Sequence, residues 1–356
     1  MPKSSELIAE RLDAQLLSGP PASSPEEVVE RLLAVQAQDA RGARLTVRSR
    51  STGLHATDLD DALTDRRSMV VTWLNRGTLH LVSAADYWWL HPITTPQLAT
   101  TNRRRLHQEG VSDTEAERGV DIVVDAVGTH GPQTRAELRR RLETAGIPTA
   151  EQAFIHVLFA ASLRGDIVRG PMRGAEHAFV AASDWLGKAP PPLERPEALA
   201  RLARRYLAGH APAEARDLAK WAKVTLGDAR AAFDGIRGEL VERPEGRVAL
   251  ANGRAPAPIP EPRLLGAFDP LLLGWESREL LVGAHNLVTS NGVFRPFALV
   301  DGRAVATWRL SGRTLSVKPL KRLKAATVEA LRADAAGLSQ YLGMAGPAEV
   351  VFEPYE

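Results

Sequence analysis

Two stretches of this chain carry the same order of helix and strand signals, and a repeat of that length constrains the fold more than any single motif. Over 120 to 180 the apolar spacing predicts helices at Val120 to Gly128, Thr134 to Ala145 and Thr149 to Leu163. Gly165-Asp166-Ile167-Val168, a glycine-rich turn and Ala178-Phe179-Val180 then predict two strands. Over 198 to 251 the order returns: helices at Leu199 to Ala208, Glu214 to Lys223 and Leu226 to Ile236, then Gly238-Glu239-Leu240-Val241, Pro244-Glu245-Gly246 and Val248-Ala249-Leu250. Gly128-Thr129-His130-Gly131-Pro132 matches Gly209-His210-Ala211-Pro212 at the first helix end. Three short helices closed by a two-stranded wing is the layout of a winged helix, whose third helix commonly reads a DNA groove.

The first hundred residues give a looser third copy. Its hairpin is the clearest in the chain, because Val70 to Leu74 and Thr78 to Val82 are β-prone runs flanking Asn75-Arg76-Gly77. Proline-rich Ala255 to Pro262 separates a last region in which Leu280 to Val282, Leu287 to Thr289, Phe297 to Val300, Val305 to Leu310 and Leu315 to Val317 predict strands, closed by an amphipathic helix over Ala325 to Gly343. The expected architecture is α+β: three tandem winged-helix domains at 1–100, 101–190 and 191–254, then a small β-barrel-like domain at 255–356.

Composition excludes much chemistry. The chain has no cysteine, which removes disulfides, thiol nucleophiles and Cys-ligated metals. No paired histidines stand at metal-ligand spacing and no glycine-rich phosphate loop occurs, so no metal or other cofactor is expected. No apolar run approaches the ~20 residues of a membrane helix and no secretory leader opens the chain, so the expected location is the cytoplasm, beside the nucleoid. Total charge is close to balanced, with 45 Lys and Arg against 43 Asp and Glu. Residues 263–324, however, hold ten cations and four anions, and 38 of the 45 cations are Arg. Guanidinium grips phosphate at two points, whereas lysine supplies the Schiff-base nucleophile, so the bias favours backbone binding over amine chemistry.

Ser24, Pro25 and Glu27 form a helix start, and Val28, Val29, Leu32 and Leu33 then define an apolar stripe on which Gln36 would lie if the helix continued. Asp39-Ala40-Arg41-Gly42 favours unwinding instead, and in an extended segment Gln36 and Gln38 turn to the same side. Two neutral carboxamides can orient water and steady a developing cation but cannot take a proton at neutral pH. Asp39 beside them could serve as general base or balance positive charge. In the hairpin, Arg76, Thr78 and His80 surround the turn and suit phosphate contacts, with a core histidine as the competing role for His80. Arg103 to Arg105, Arg139 to Arg141 and Lys318 to Lys324 are the densest basic runs. Tyr87, Trp88 and Trp89 fit packing better than base stacking.

Val35-Gln36-Ala37-Gln38-Asp39, Val71 to Val82, Phe268 to Trp275 and Asn291 to Pro296 together resemble the AlkZ/YcaQ family of winged-helix DNA glycosylases. The resemblance spans nearly the whole chain. It implies three tandem winged helices with a C-terminal β domain, and hydrolytic excision of alkylated purines at N7 or N3, including interstrand crosslinks in some members. The Gln-apolar-Gln motif of the AlkZ-like branch falls on Gln36, Ala37 and Gln38, making Gln36 and Gln38 the expected catalytic pair. Arg44, Arg48, Arg76, Thr78, His80, Lys318, Lys321 and Arg322 are the expected DNA-binding residues. The expected partner is double-stranded DNA carrying alkylated bases, met by a monofunctional, monomeric enzyme. The alternative is a non-catalytic winged-helix transcriptional regulator.

Overall fold

A computed structural model describes residues 2–174, 176–251 and 255–355. The chain divides into two compact units: residues 1–59 with 199–356, and residues 60–198. The boundary expected at 254 falls on residues outside the described ones.

The second unit holds the first copy of the repeat. Its helices are Asp113–His130, Arg135–Thr144 and Ala153–Leu163, and its strands are Ile167–Arg173 and Glu176–Ala181. Ser112 and Thr134 each cap a helix in reciprocal boxes with Glu115 and Glu137, which explains both starts. The hairpin Met69–Leu74 and Thr78–Ser83 joins these strands in one sheet, with Thr72 opposite His80 and Val71 opposite both Leu81 and Arg169. The helix Ala153–Leu163 has no exposed residue, and Phe154, Val157 and Leu158 are fully buried. Trp73 stacks on Phe179 of the sheet and meets this helix's Phe159 in a tilted contact. The groove-reading role expected of a third helix is therefore not open to this one, because its apolar circumference is consumed by packing.

The first unit holds the second copy, with helices Arg195–His210, Ala215–Ala222 and Leu226–Asp234 and a hairpin of Leu240–Arg243 with Arg247–Leu250. It also holds the C-terminal region. There the strands run Glu349–Phe352, Thr314–Pro319, Arg303–Ser311, Phe297–Val300 and Arg263–Leu265 in spatial order. The sheet is open, which corrects the barrel expectation. Its apolar face is covered by Leu331, Ala335 and Leu338 of the helix Ala325–Tyr341 and by Leu45, so the sheet need not curl on itself to bury it. That helix is a crossover, since Thr314–Pro319 and Glu349–Phe352 pair in parallel on either side of it. Leu280 to Val282 is a short helix, Glu279–Val282, where a strand was expected, and Leu287 to Thr289 contributes only the bridge between Val288 and Phe294.

Candidate active site and nucleic-acid interface

The glutamine motif sits where one helix has stopped and the next has not begun. Ser24 caps Pro25–Leu32 by accepting from Glu27 N–H, while the Glu27 carboxylate accepts from Ser23 instead of completing the box with Ser24. Those bonds hold the exposed Glu27 carboxyl below its ordinary pKa. The helix ends at Leu33, whose φ of 64° breaks the α conformation. Val35–Gln36 is extended, and Asp39 caps the following helix Ala40–Arg48 by accepting from Arg41 N–H at 2.9 Å. The chain thus unwinds across the motif. Gln36 is buried at 6% exposure, Ala37 at 8%, and Gln38 is exposed. Asp39 commits one carboxylate oxygen to the cap, a structural duty the sequence reading did not assign.

The helix after the motif, with the two residues that follow it, is fastened to the C-terminal region by five contacts. Leu45 enters the sheet core. Gly42 lies against the backbone of Ala267, where an added Cβ would fall 2.4 Å from the carbonyl oxygen, so only glycine permits that approach. Arg48 donates to both carboxylate oxygens of Asp334 at 2.7 and 2.8 Å, and the Arg263 guanidinium donates to the Ser49 carbonyl. Arg50, fully buried, forms a two-point pair with Asp269 at 2.8 and 2.9 Å and donates to the backbone and side-chain oxygens of Gln15. Gln15 in turn donates to Gly209 O at 2.7 Å. On the other side of the motif, Arg205 donates to Glu30 O, and Gly209 packs directly on the Arg31 backbone. The two amides are therefore carried on a segment fixed at both ends.

Of the expected DNA contacts in this unit, Arg48 is corrected: its guanidinium is spent on Asp334 and its side chain is only 11% exposed. Arg44 is half-buried and donates to Ala40 O at 2.9 Å. Lys318, Lys321 and Arg322 are exposed. Arg41, which sequence reasoning passed over, is exposed and reaches Leu310 O at 3.4 Å. It thereby lies beside the outward face of the C-terminal sheet, where exposed Arg309 stands opposite Ser316 and Lys318 opposite Thr307. The signal for Arg41 was its place in the first turn after the amides; that for Arg309 was strand alternation against buried Trp308.

In the other unit, the turn Asn75-Arg76-Gly77 has φ of 53° at Asn75 and 78° at Gly77, as residue types tolerant of left-handed backbone require. Arg76 and Thr78 are half-buried. His80 is 2% exposed and is corrected from phosphate ligand to core histidine. Its Nδ1 donates to Thr78 O at 2.8 Å, since a carbonyl can only accept, and burial beside Arg76 lowers its pKa to about 3. A neutral, enclosed imidazole carries no charge to a phosphate at physiological pH.

The family model for DNA glycosylase AlkZ-like proteins matches residues 29–341. The chain belongs to the AlkZ-like DNA glycosylase family. An interstrand DNA cross-link repair glycosylase from Streptomyces sahachiroi is 29% identical over 375 residues, covering 95% of this chain and 96% of that protein. The solved structure of Streptomyces sahachiroi DNA glycosylase AlkZ superposes with a TM-score of 0.77 over 98% of this chain and 99% of its own, at 24% identity, which shows a shared fold. The AlkZ-like match takes in the glutamine motif, the hairpin turn and the Phe268 to Trp275 segment. Within that segment Asp269 is the buried counter-charge of Arg50 and the cap of Pro270–Leu273. Among the described residues no helix is long and apolar enough to cross a membrane, and no cluster of three potential metal ligands occurs.

Proposed function

We propose that this chain hydrolyses the N-glycosidic bond of N7- or N3-alkylated purines in duplex DNA, crosslinked purines included, with Gln36 and Gln38 as its catalytic residues. The observation that carries the reading is the unwound segment between two capped helices, which presents both amides at i and i+2 with Gln38 open to solvent. An alkylated purine is already cationic, so its bond to C1′ breaks without a general acid. The purine leaves with the bonding pair, a water oxygen bonds to C1′, and the water proton passes to solvent. What remains for the protein is to place that water and to lay carboxamide oxygens against the developing positive charge, which two neutral glutamines can do at any ordinary pH. With no lysine in or beside the motif, the product is an abasic site and the strand stays intact. The three helix and hairpin groups are read here as winged helices, acting in a monomer, with Arg44, Arg76, Thr78, Lys318, Lys321 and Arg322 meeting the duplex.

The test is release of base from duplex DNA bearing N7-methylguanine or a nitrogen-mustard crosslink, scored as abasic sites. Gln36→Ala/Gln38→Ala is expected to lower the single-turnover rate by about 10² to 10³-fold. Equal rates in the wild type and the double variant would overturn the assignment. A footprint at one operator sequence with no abasic product would favour a transcriptional regulator.

A further inference from the structure

Arg11 is a charge without a counter-charge. It stands on the helix Pro2–Ala14 with its guanidinium over the Trp275 ring, 4.3 Å from the centroid. Among the described residues it makes no hydrogen bond and no ion pair, and its Nε is closed to water. Burial outweighs the fields of Asp217 and Glu214 and lowers its pKa to about 10, which leaves it a cation at neutral pH. A folded chain rarely keeps an enclosed ion unpaired, because its desolvation is then uncompensated.

Arg11 lines a cleft of about 660 Å³, within the roughly 300 to 1,000 Å³ of small-molecule sites. Arg247 lines it as well, from the hairpin of the second copy, and its Nε is likewise enclosed and without a hydrogen bond. Most carboxylates of the cleft are already engaged. Glu10 is paired with Arg243 at 2.8 Å, Glu214 with Arg216 at 2.9 Å, and Glu245 with Nη2 of Arg247 at 2.7 Å. Asp217 accepts from the backbone N–H groups of Glu214 and Glu276, both at 2.9 Å. Glu6, Glu276 and Glu279 are exposed, and Leu7 and Leu280 add apolar surface. What the cleft lacks is an acceptor for two Nε–H donors. A carboxylate fits them, since it is planar, carries one charge and accepts from a guanidinium at two points. A phosphodiester chain suits the cleft poorly, because the exposed carboxylates would face it with like charge.

We propose that this cleft binds a small organic molecule through its carboxylate, which accepts from Nε–H of Arg11 and of Arg247, with a cationic group elsewhere on the ligand favoured by Glu6 and Glu279. Trp275 prepares the site: its Nε1–H donates to His210 O at 2.9 Å, which fixes the ring and holds the guanidinium flat before the ligand arrives. Nothing in this binding depends on Gln36, Gln38 or duplex DNA.

The experiment titrates 6-aminohexanoate, a carboxylate with an ammonium at its other end, into the ¹⁵N-labelled full chain. The Nε–H resonances of Arg11 and Arg247, assigned with Arg11→Met and Arg247→Met, are expected to move and saturate together. Hexanoate should bind about threefold more weakly, the scale of one exposed ion pair, and hexylamine should move neither resonance. Arg11→Met, which keeps an apolar chain against Trp275, should abolish the shift at Arg247. Its urea midpoint should be no lower than that of the wild type, because the variant removes an unpaired ion. Resonances that fail to saturate, or that hexylamine moves equally, overturn the proposal. So does a lower urea midpoint in Arg11→Met, which would make Arg11 a structural cation acting through space on Asp217. A DNA duplex that displaces 6-aminohexanoate overturns it too, by making both arginines phosphate contacts.

Discussion

Residues 113–181 and 195–250 spell the same succession of three helices and a hairpin, yet they are stabilised by different means. The first copy leaves no residue of its third helix exposed, with Phe154, Val157, Leu158 and Ala161 at zero exposure, and its strands join a larger sheet. The second leaves its third helix half in solvent and its hairpin as a two-stranded sheet. Beyond its own buried core it has a polar anchorage at the end of its first helix. Tyr206 donates to Gly274 O, Trp275 donates to His210 O, and Gly209 O receives the Gln15 amide that leads to Arg50 and Asp269. Both copies are held by dispersion and burial, the second through Leu202, Tyr206, Leu207 and Leu218, and the second adds a hydrogen-bonded network in low dielectric. A repeat fixes the order of elements; how each is held decides which face is left for a ligand.

The network is the harsher place to cut. Asp269→Ala leaves the Arg50 guanidinium buried and unpaired and is expected to destabilise by about 5 kcal/mol, at the upper end for a broken buried pair. Urea unfolding of the full chain checks this, and a loss under about 1 kcal/mol would mean that the second copy is not held as described. In the first copy, Phe154→Ala should cost about 4 kcal/mol through lost burial and the cavity left behind. Leu226→Ala, at the matching third helix of the second copy, should change the midpoint by less than about 0.5 kcal/mol. Equal effects would erase the distinction between the two helices.

Acid sharpens the comparison further, because a neutral histidine is enclosed against the first copy and another within the second. His91 donates from Nε2 to Ser162 O at the end of the buried helix, and burial lowers its pKa to about 4; His210 donates from Nδ1 to Tyr206 O and is lowered to about 3. The folded values lie below the unfolded value of about 6.5. The unfolded chain therefore binds protons first as pH falls, and the stability contributed is complete above pH 6.5 and is lost progressively down to the folded pKa. Each site should cost about 2 kcal/mol by pH 5. His91→Gln and His210→Gln should each flatten the dependence of the urea midpoint between pH 7 and 5. A slope untouched by either would show that the rings are reached by water in the folded state.

Much of the candidate site was legible locally. The helix start at Ser24-Pro25, the break before Asp39 and the left-handed turn at Asn75-Arg76-Gly77 follow from capping and backbone sterics, which depend on a few adjacent residues. The sequence also exposed the two copies by their matched order of apolar periods and turn residues. The fate of individual charges was not legible. Arg48 and Arg322 look alike as letters, but one meets Asp334, 286 residues away, and the other meets solvent. His80 carried two readings until the sheet closed around it. The open C-terminal sheet was missed because Arg263–Leu265 and Glu349–Phe352 are only three and four residues long, too short for alternation to show.

What the amino-acid order determined by itself is therefore the succession of helices and hairpin in the two copies and the unwound run that carries Gln36 and Gln38, since these are settled by contacts within a turn or two of helix. What only the folded chain decided is which cations are consumed by carboxylates, which third helix is covered, and what buries the face of the last sheet. Desolvation is the reason. The worth of a charge or an apolar side chain depends on the groups that exclude water from it, and in this molecule those groups come from positions far along the chain.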